Sequence, residues 1–295
     1  MNNLKFLLFL TNCFIWLNVN AQVREVTITT KRNKDGSVNL IANKSVPGNY
    51  TIALNLTSSS NTSEIANPVF NIRSDGDNFL TFYPNNKDQD ISLSYTYKVV
   101  LGKLNPKFNP NFLYTLPYAD GKKTKVTTKS PAIVNIINFY TEQADTVVAI
   151  RKGTIVKSTD LYDDDNNNYE AKRKHNALMI EHEDGTLASY QGLRKGFLVK
   201  VGQVVFPGDA LAINNVSADG YFFVLHVNYL KSVEVINKKG EKLNGNMHGT
   251  VKPYFSTKED ANNFLRFPEY YTSIITKEII QKEMTKKEIK NLGKK

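Results

Sequence analysis

The sequence predicts a mainly β protein: a β-sandwich, then a second β-sheet unit, then a short helical tail. Three observations lead there. Between residues 23 and 102 apolar side chains recur at every second position, in short runs parted by turns rich in Asn, Asp, Ser and Gly. From residue 116 to 254 short β-rich runs alternate again with Gly turns, and beyond 255 the spacing becomes helical and the composition charged.

The first unit is justified strand by strand. Val26, Ile28 and Thr30 alternate with polar residues, Lys34-Asp35-Gly36 supplies a hairpin turn, and Val38, Leu40 and Ala42 resume the alternation. Tyr50, Ile52, Leu54 and Leu56 repeat the period of two, and further runs lie at 69–72, 79–83 and 91–99. Six or so short strands with no helical stretch give residues 22–103 an Ig-like outline. Nothing in them has the spacing of a catalytic site, so adhesion or spacing is their expected role.

Residues 104–115 carry Pro106 and Pro110 and are expected to be a linker. The second unit follows over 116–254, with strands expected at 134–139, 146–150, 153–158, 177–182, 187–190, 197–201, 210–213 and 222–229. Asp163-Asp164-Asp165, followed by three asparagines, lacks the alternating ligands and distal carboxylate of a calcium loop and reads as a solvated hairpin tip. In the tail, residues 255–295, Thr257-Lys258-Glu259-Asp260 is expected to open a short helix ended by Pro268. Residues 274–284 form an amphipathic pattern on Ile275, Ile279 and Ile280, and Thr285-Lys286-Lys287-Glu288 reads as a capping box.

The amino terminus sets the compartment. Lys5 precedes apolar runs at 6–10 and 13–17, and Val19-Asn20-Ala21 offers a small-residue cleavage position, so residues 1–21 read as a secretory signal peptide. An uncleaved anchor would need a longer apolar run. A lipoprotein site at Cys13 is disfavoured by the preceding Asn12. Cys13, the one cysteine, leaves with the leader, so stability must come from packed cores without disulfides. The mature chain is expected in the periplasm, at the cell surface or secreted, with no transmembrane segment. Its formal charge of +10 falls to +9 without Lys5. Nucleic acid is not an expected partner of an exported chain; the excess reads as solubilising charge, concentrated in the tail, with anionic envelope surfaces as the alternative.

One stretch carries a family resemblance. Asn138-Phe139, the run Thr146 to Gly153, the hairpin Met179-Ile180-Glu181-His182-Glu183-Asp184-Gly185-Thr186, the turn Val199-Lys200-Val201-Gly202-Gln203-Val204-Val205 with Gly208, and Leu225-His226-Val227 occur in that order. Together with Leu116-Pro117-Tyr118 they resemble the lysostaphin- or LytM-type zinc endopeptidases (the duplicated hybrid motif), which cut peptide cross-bridges in bacterial cell walls. The resemblance covers about residues 116–230 and implies a LytM-type β-sheet peptidase-like domain.

A catalytic zinc takes three protein ligands and keeps a fourth position for water, whose pKa it lowers. The resemblance implies that a His and an Asp from one segment and the second His of an H-x-H strand hold the metal. Two more histidines, one in that strand and one in a Y-x-H-L segment, handle the proton. Here Asn138 stands at the Asp position, residues 129–137 contain no histidine, Tyr190-Gln191-Gly192-Leu193 puts Gly192 at a catalytic His, and Val224 replaces the other. Only His226 is retained. His175, His182 and His248 are poorly placed to rebuild a site: among basic residues, in the sheet, and in a late turn respectively.

The expectation is therefore a pseudopeptidase of the cell envelope with its zinc site lost and no cofactor. Asn138, Tyr190, Gly192, Val224 and His226 mark the former active site, a possible groove for cell-wall peptide or an envelope protein. The alternative is an active zinc metalloendopeptidase with unorthodox ligands, and a weaker third reading makes the first unit an adhesin. His226 is expected to be a half-buried, hydrogen-bonded imidazole.

Overall fold

The computed structural model describes residues 25–65, 68–128, 135–163, 175–217, 220–236, 242–243, 245, 247–260 and 264–292. The leader at 1–21 and all of the acidic run after Asp163 lie outside the described residues. The chain is mainly β.

Among the described residues six strands build the first unit: β1 (Val26–Arg32), β2 (Val38–Lys44), β3 (Tyr50–Ser60), β4 (Val69–Ile72), β5 (Asp77–Phe82) and β6 (Ser92–Leu101). They pair as two antiparallel sheets, β1-β2-β5 and β4-β3-β6. The alternation read from the sequence is the cause, since each strand sends one face inward. Val26 and Ala42 from one sheet meet Tyr50, Ile52 and Ile72 from the other. Val38, Leu40 and Phe82 meet Leu54 in the same way.

The second unit holds β7 (Leu113–Thr115), β8 (Lys123–Thr128), β9 (Ile136–Thr141), β10 (Thr146–Val148), β11 (Gly153–Thr159), β12 (Ala177–Glu181), β13 (Leu187–Gln191), β14 (Val204–Val205), β15 (Ala210–Ile213), β16 (Asn215–Ser217), β17 (Gly220–Ser232), β18 (Val235–Ile236), β19 (Lys242–Leu243), β20 (Met247–Val251), β21 (Tyr254–Ser256) and β22 (Glu269–Thr272). Its main sheet runs β14-β11-β12-β13-β17-β9-β8-β22, with β16 and β20 also paired to β17. One face of that sheet buries Val126, Phe139, Phe223, Leu225, Tyr190, Ile180 and Leu178 against Tyr118, Val147, Leu211 and Phe255.

Three expectations differ from what is found. The segment at 104–115 is not a free linker: Leu104 bridges Leu230, Phe112 and Tyr114 are buried in the second core, and β7 pairs with β21. Aromatic side chains at 108, 112 and 114 outweigh the two prolines. Residues 197–201 form no strand; isolated bonds such as Leu198 N–H to the Leu211 carbonyl hold them between Gly196 and Gly202, both at positive φ. Thr257 opens no helix over 257–260. Its hydroxyl accepts from Asp260 N–H at 3.0 Å while its own N–H donates to the Asp260 carbonyl, closing a tight turn.

Among its described residues the tail holds two short helices, α1 (Lys277–Gln281) and α2 (Lys286–Leu292). Thr276 caps α1, and Ile275 stays outside it because its N–H donates to Asp120. The capping box before α2 has both reciprocal bonds, Thr285 N–H to Glu288 at 2.6 Å and Glu288 N–H to Thr285 Oγ1 at 3.3 Å.

Candidate functional site

Strand register places the five sequence-derived positions. Val224 on β17 lies between Gln191 on β13 and Asn138 on β9, and Asn138 faces Thr127 on β8. Two residues on, His226 lies between Ser189 and Ile136. Directly paired residues share a face and side chains alternate along each strand, so Asn138, Val224 and His226 project from one face, away from the core. The sheet therefore brings three of the five together.

Tyr190 points the opposite way. It is fully buried, stacks on Phe223 with ring centroids 6.0 Å apart, and its hydroxyl accepts from Ile150 N–H at 3.0 Å. Burial pushes its phenol well above the usual range. Gly192 sits just past β13 at φ +75°, a left-handed conformation that a side chain strains, and its N–H donates to the Asn176 carbonyl at 3.0 Å. The turn itself demands glycine at that point.

The chemistry of the row is limited. Asn138 donates to Thr127 Oγ1 at 3.3 Å, Gln191 donates to Ser189 Oγ at 3.1 Å, and Val224 is apolar and nearly buried. The His226 imidazole is half-buried, but it has no hydrogen-bond partner among the described residues, which corrects the expectation of a hydrogen-bonded ring. Burial first, and His248 second, hold its pKa below the ordinary histidine value, so the ring is neutral near pH 7. Among the described residues no three His, Cys, Asp or Glu side chains converge on a metal-sized site. One imidazole beside an amide and a valine does not fit a catalytic zinc, so these residues support no step through a metal.

Two features escaped the sequence reading. The first is how the β-sandwich docks. Glu181, Leu187, Asn228 and Leu230 continue the face that carries His226, by register and alternation. That part of the face is covered by the sandwich. Glu181 accepts from Asn49 twice, from its backbone N–H and from its side-chain amide, both at 2.8 Å. Leu230 and Val233 bury against Ala53, with Val69, Val100 and Leu104 around them. The approach is close: a Cβ on Gly48 would lie 2.8 Å from Val156 Cγ1. The Val224–His226 row thus ends against a wall made by the first unit.

The second feature is a charge cluster behind the hairpin. Arg151, about 3% exposed, donates to Asp184 at 2.7 Å and to both carboxylate oxygens of Glu283 at 2.9 and 2.6 Å, with its guanidinium 3.7 Å from the Phe112 ring centroid. Asp184 also accepts from the Thr186 hydroxyl at 2.7 Å, so Thr186 Oγ1 accepts from the buried His182 Nδ1–H, 2.9 Å away. That leaves His182 Nε2 a bare, buried acceptor without a partner among the described residues. Burial, then the Arg151 charge, hold His182 well below the usual histidine range.

No family model and no curated protein matches the chain. Its neighbours are solved structures. An M23 metalloprotease, Pseudoalterin from the deep sea, is 11% identical, with 48% of this chain and 95% of that one covered and a TM-score of 0.29. A zinc-containing peptidase from Vibrio cholerae is 15% identical over 68% of this chain and 74% of that one, at a TM-score of 0.30. Csd3 of Helicobacter pylori is 12% identical over 75% and 76%, at 0.28. What the chain does is read from its own residues.

Proposed function

We propose that this chain is an exported, non-catalytic pseudopeptidase of the cell envelope, which keeps a LytM-like sheet to bind cell-wall peptide or a partner protein. The observation that carries this reading is the neighbourhood of His226. Ser189 and Ile136 flank it, and Val224 and Asn138 fill the next row, where zinc hydrolysis would need further imidazoles and a carboxylate. The sheet is retained because Phe139, Phe223 and Leu225 build its core face, while Asn138 and Val224 lie on the opposite face and Gly192 in a turn.

Metal analysis of the purified mature protein, residues 22–295, tests the reading. The expected result is less than stoichiometric zinc, with no fragments released from purified cell wall. Stoichiometric, chelator-sensitive zinc would sink the proposal in favour of a metalloendopeptidase with unorthodox ligands.

A further inference from the structure

A cleft of about 520 Å³ lies where the β-sandwich, the β12–β13 hairpin and the α1–α2 connection meet. We infer that this cleft binds a short peptide through its free carboxylate. No residue of the Val224–His226 row takes part, so the cleft stands or falls separately from the pseudopeptidase assignment.

The charges on the walls point to an anion. Of the carboxylates lining the cleft, Glu181 is held by Asn49, Glu283 by Arg151, and Glu288 by Lys152 and Thr285 N–H. Glu283 and Glu288 are thereby charge-paired, whereas Glu181 keeps its charge and acts on Lys44. The sandwich wall is different. Lys44 Nζ donates to the carbonyls of Gly48 at 2.5 Å and Arg73 at 2.6 Å, with the Glu181 and Asp75 carboxylates near enough to act on it. Arg73 and Lys103 line the same cleft, Lys103 where the sandwich meets the hairpin, and among the described residues their side chains have no ion pair or hydrogen bond. Asn71 adds a neutral donor: its Oδ1 is taken by Leu104 N–H at 2.8 Å, and its amide Nδ2 has no partner among the described residues. Arg73 and Lys103, two cations with no partner among the described residues, therefore line one cleft with an amide N–H.

The hairpin side of the cleft selects among anions. Glu183, on the hairpin, faces the same cleft and has no partner among the described residues. It repels a dianion such as phosphate and offers an acceptor for a cationic amine or amide N–H. A carboxylate at one end and N–H groups at the other describe a short peptide with a free C-terminus. The volume falls in the range of small-ligand sites, which hold their ligands by a few placed polar groups. Charge-assisted bonds from Arg and Lys to a carboxylate are the strong members of that set.

The test is calorimetric titration of the full mature chain with tri-alanine, beside tri-alanine amide and inorganic phosphate. The expected result is saturable one-site binding of the free acid, weakened at least about tenfold in the amide. A double variant, Arg73→Gln with Lys103→Gln, should lose about the same factor while keeping its circular dichroism, since both residues are exposed. A control pair on the far edge, Lys31→Gln with Lys34→Gln, should bind as wild type. Equal binding of acid and amide, tighter binding of phosphate than of peptide, no saturation at millimolar peptide, or equal loss in the control pair would each overturn the inference.

Discussion

The Arg151 guanidinium and the Glu283 carboxylate meet in a two-point pair, Nε to Oε2 at 2.9 Å and Nη2 to Oε1 at 2.6 Å, with side chains only 4% and 16% exposed. This pair fastens the tail to the second unit, and Lys152 reinforces it through the Glu283 carbonyl and Glu288. Glu283→Ala leaves a buried cation with only Asp184 to balance it. The expected cost is about 3 kcal/mol, the lower end for breaking a buried pair, because one carboxylate remains. Urea unfolding measures it, and limited proteolysis should cut the tail faster in the variant. An unchanged midpoint would mean that the tail adds nothing to stability.

Glu181 offers a second test, at the junction of the two units. It accepts two bonds from Asn49, and a hydrogen bond to a charged group contributes about 1.5–3 kcal/mol. Asn49→Ala keeps the backbone bond and removes the side-chain one, so a loss of about 1.5 kcal/mol is expected. Glu181→Gln should cost more, because the amide cannot accept at both positions. Solution scattering of the Gln variant should report a more extended molecule; identical curves would show that the apolar contacts of Ala53, Leu230 and Val233 suffice.

The period of two was legible because both units are built on it. Val38, Leu40 and Ala42 alternate with less buried residues, and Phe223, Leu225 and Val227 keep the same period on β17, where Phe222, Val224, Asn228 and Leu230 on the other face are buried too. The same period carried Asn138, Val224 and His226 to one face. Motif order alone groups Tyr190 with them, and it lies on the other face because it occupies the intervening parity on β13. The contacts that join the units were not legible. Asn49 and Glu181 are 132 positions apart, as are Arg151 and Glu283, and an isolated Asn, Glu or Arg leaves no periodic trace. Thr-x-x-Asp at 257–260 fits a helix start and a tight turn alike, and only the fate of the Asp260 carbonyl separates them.

Gly192 allows a direct test of how strictly its turn demands glycine. At φ +75° a side chain costs about 1–2 kcal/mol. Gly192→His should lower stability by that amount, and Gly192→Ala by a similar amount, since the strain comes from Cβ. Thermal melts compare the two. If histidine is tolerated and alanine is not, the turn has room and a partner for an imidazole that glycine alone does not reveal.

Acid sensitivity follows from the histidines. His182 and His226 both have folded-state pKa values below the ordinary 6.5, chiefly through burial. The sign is fixed by proton counting: below pH 6.5 the unfolded chain takes up protons that the folded chain refuses, so stability falls as pH falls. Each such group contributes a slope of at most about 1.4 kcal/mol per pH unit between its unfolded and folded pKa. Asp184, whose pKa is held below the usual carboxylate range with Arg151 beside it, loses its contribution only further down, as pH passes through its own folded value. The window from about pH 6.5 towards about 4.5 therefore belongs to histidine. His182→Gln can still donate to Thr186 and cannot titrate, so the variant should lose close to one proton's worth of that slope. Denaturant midpoints for wild type, His182→Gln and His226→Gln over this window decide it. If His182→Gln keeps the wild-type slope, the buried imidazole is already protonated in the fold and the bare Nε2 acceptor does not exist.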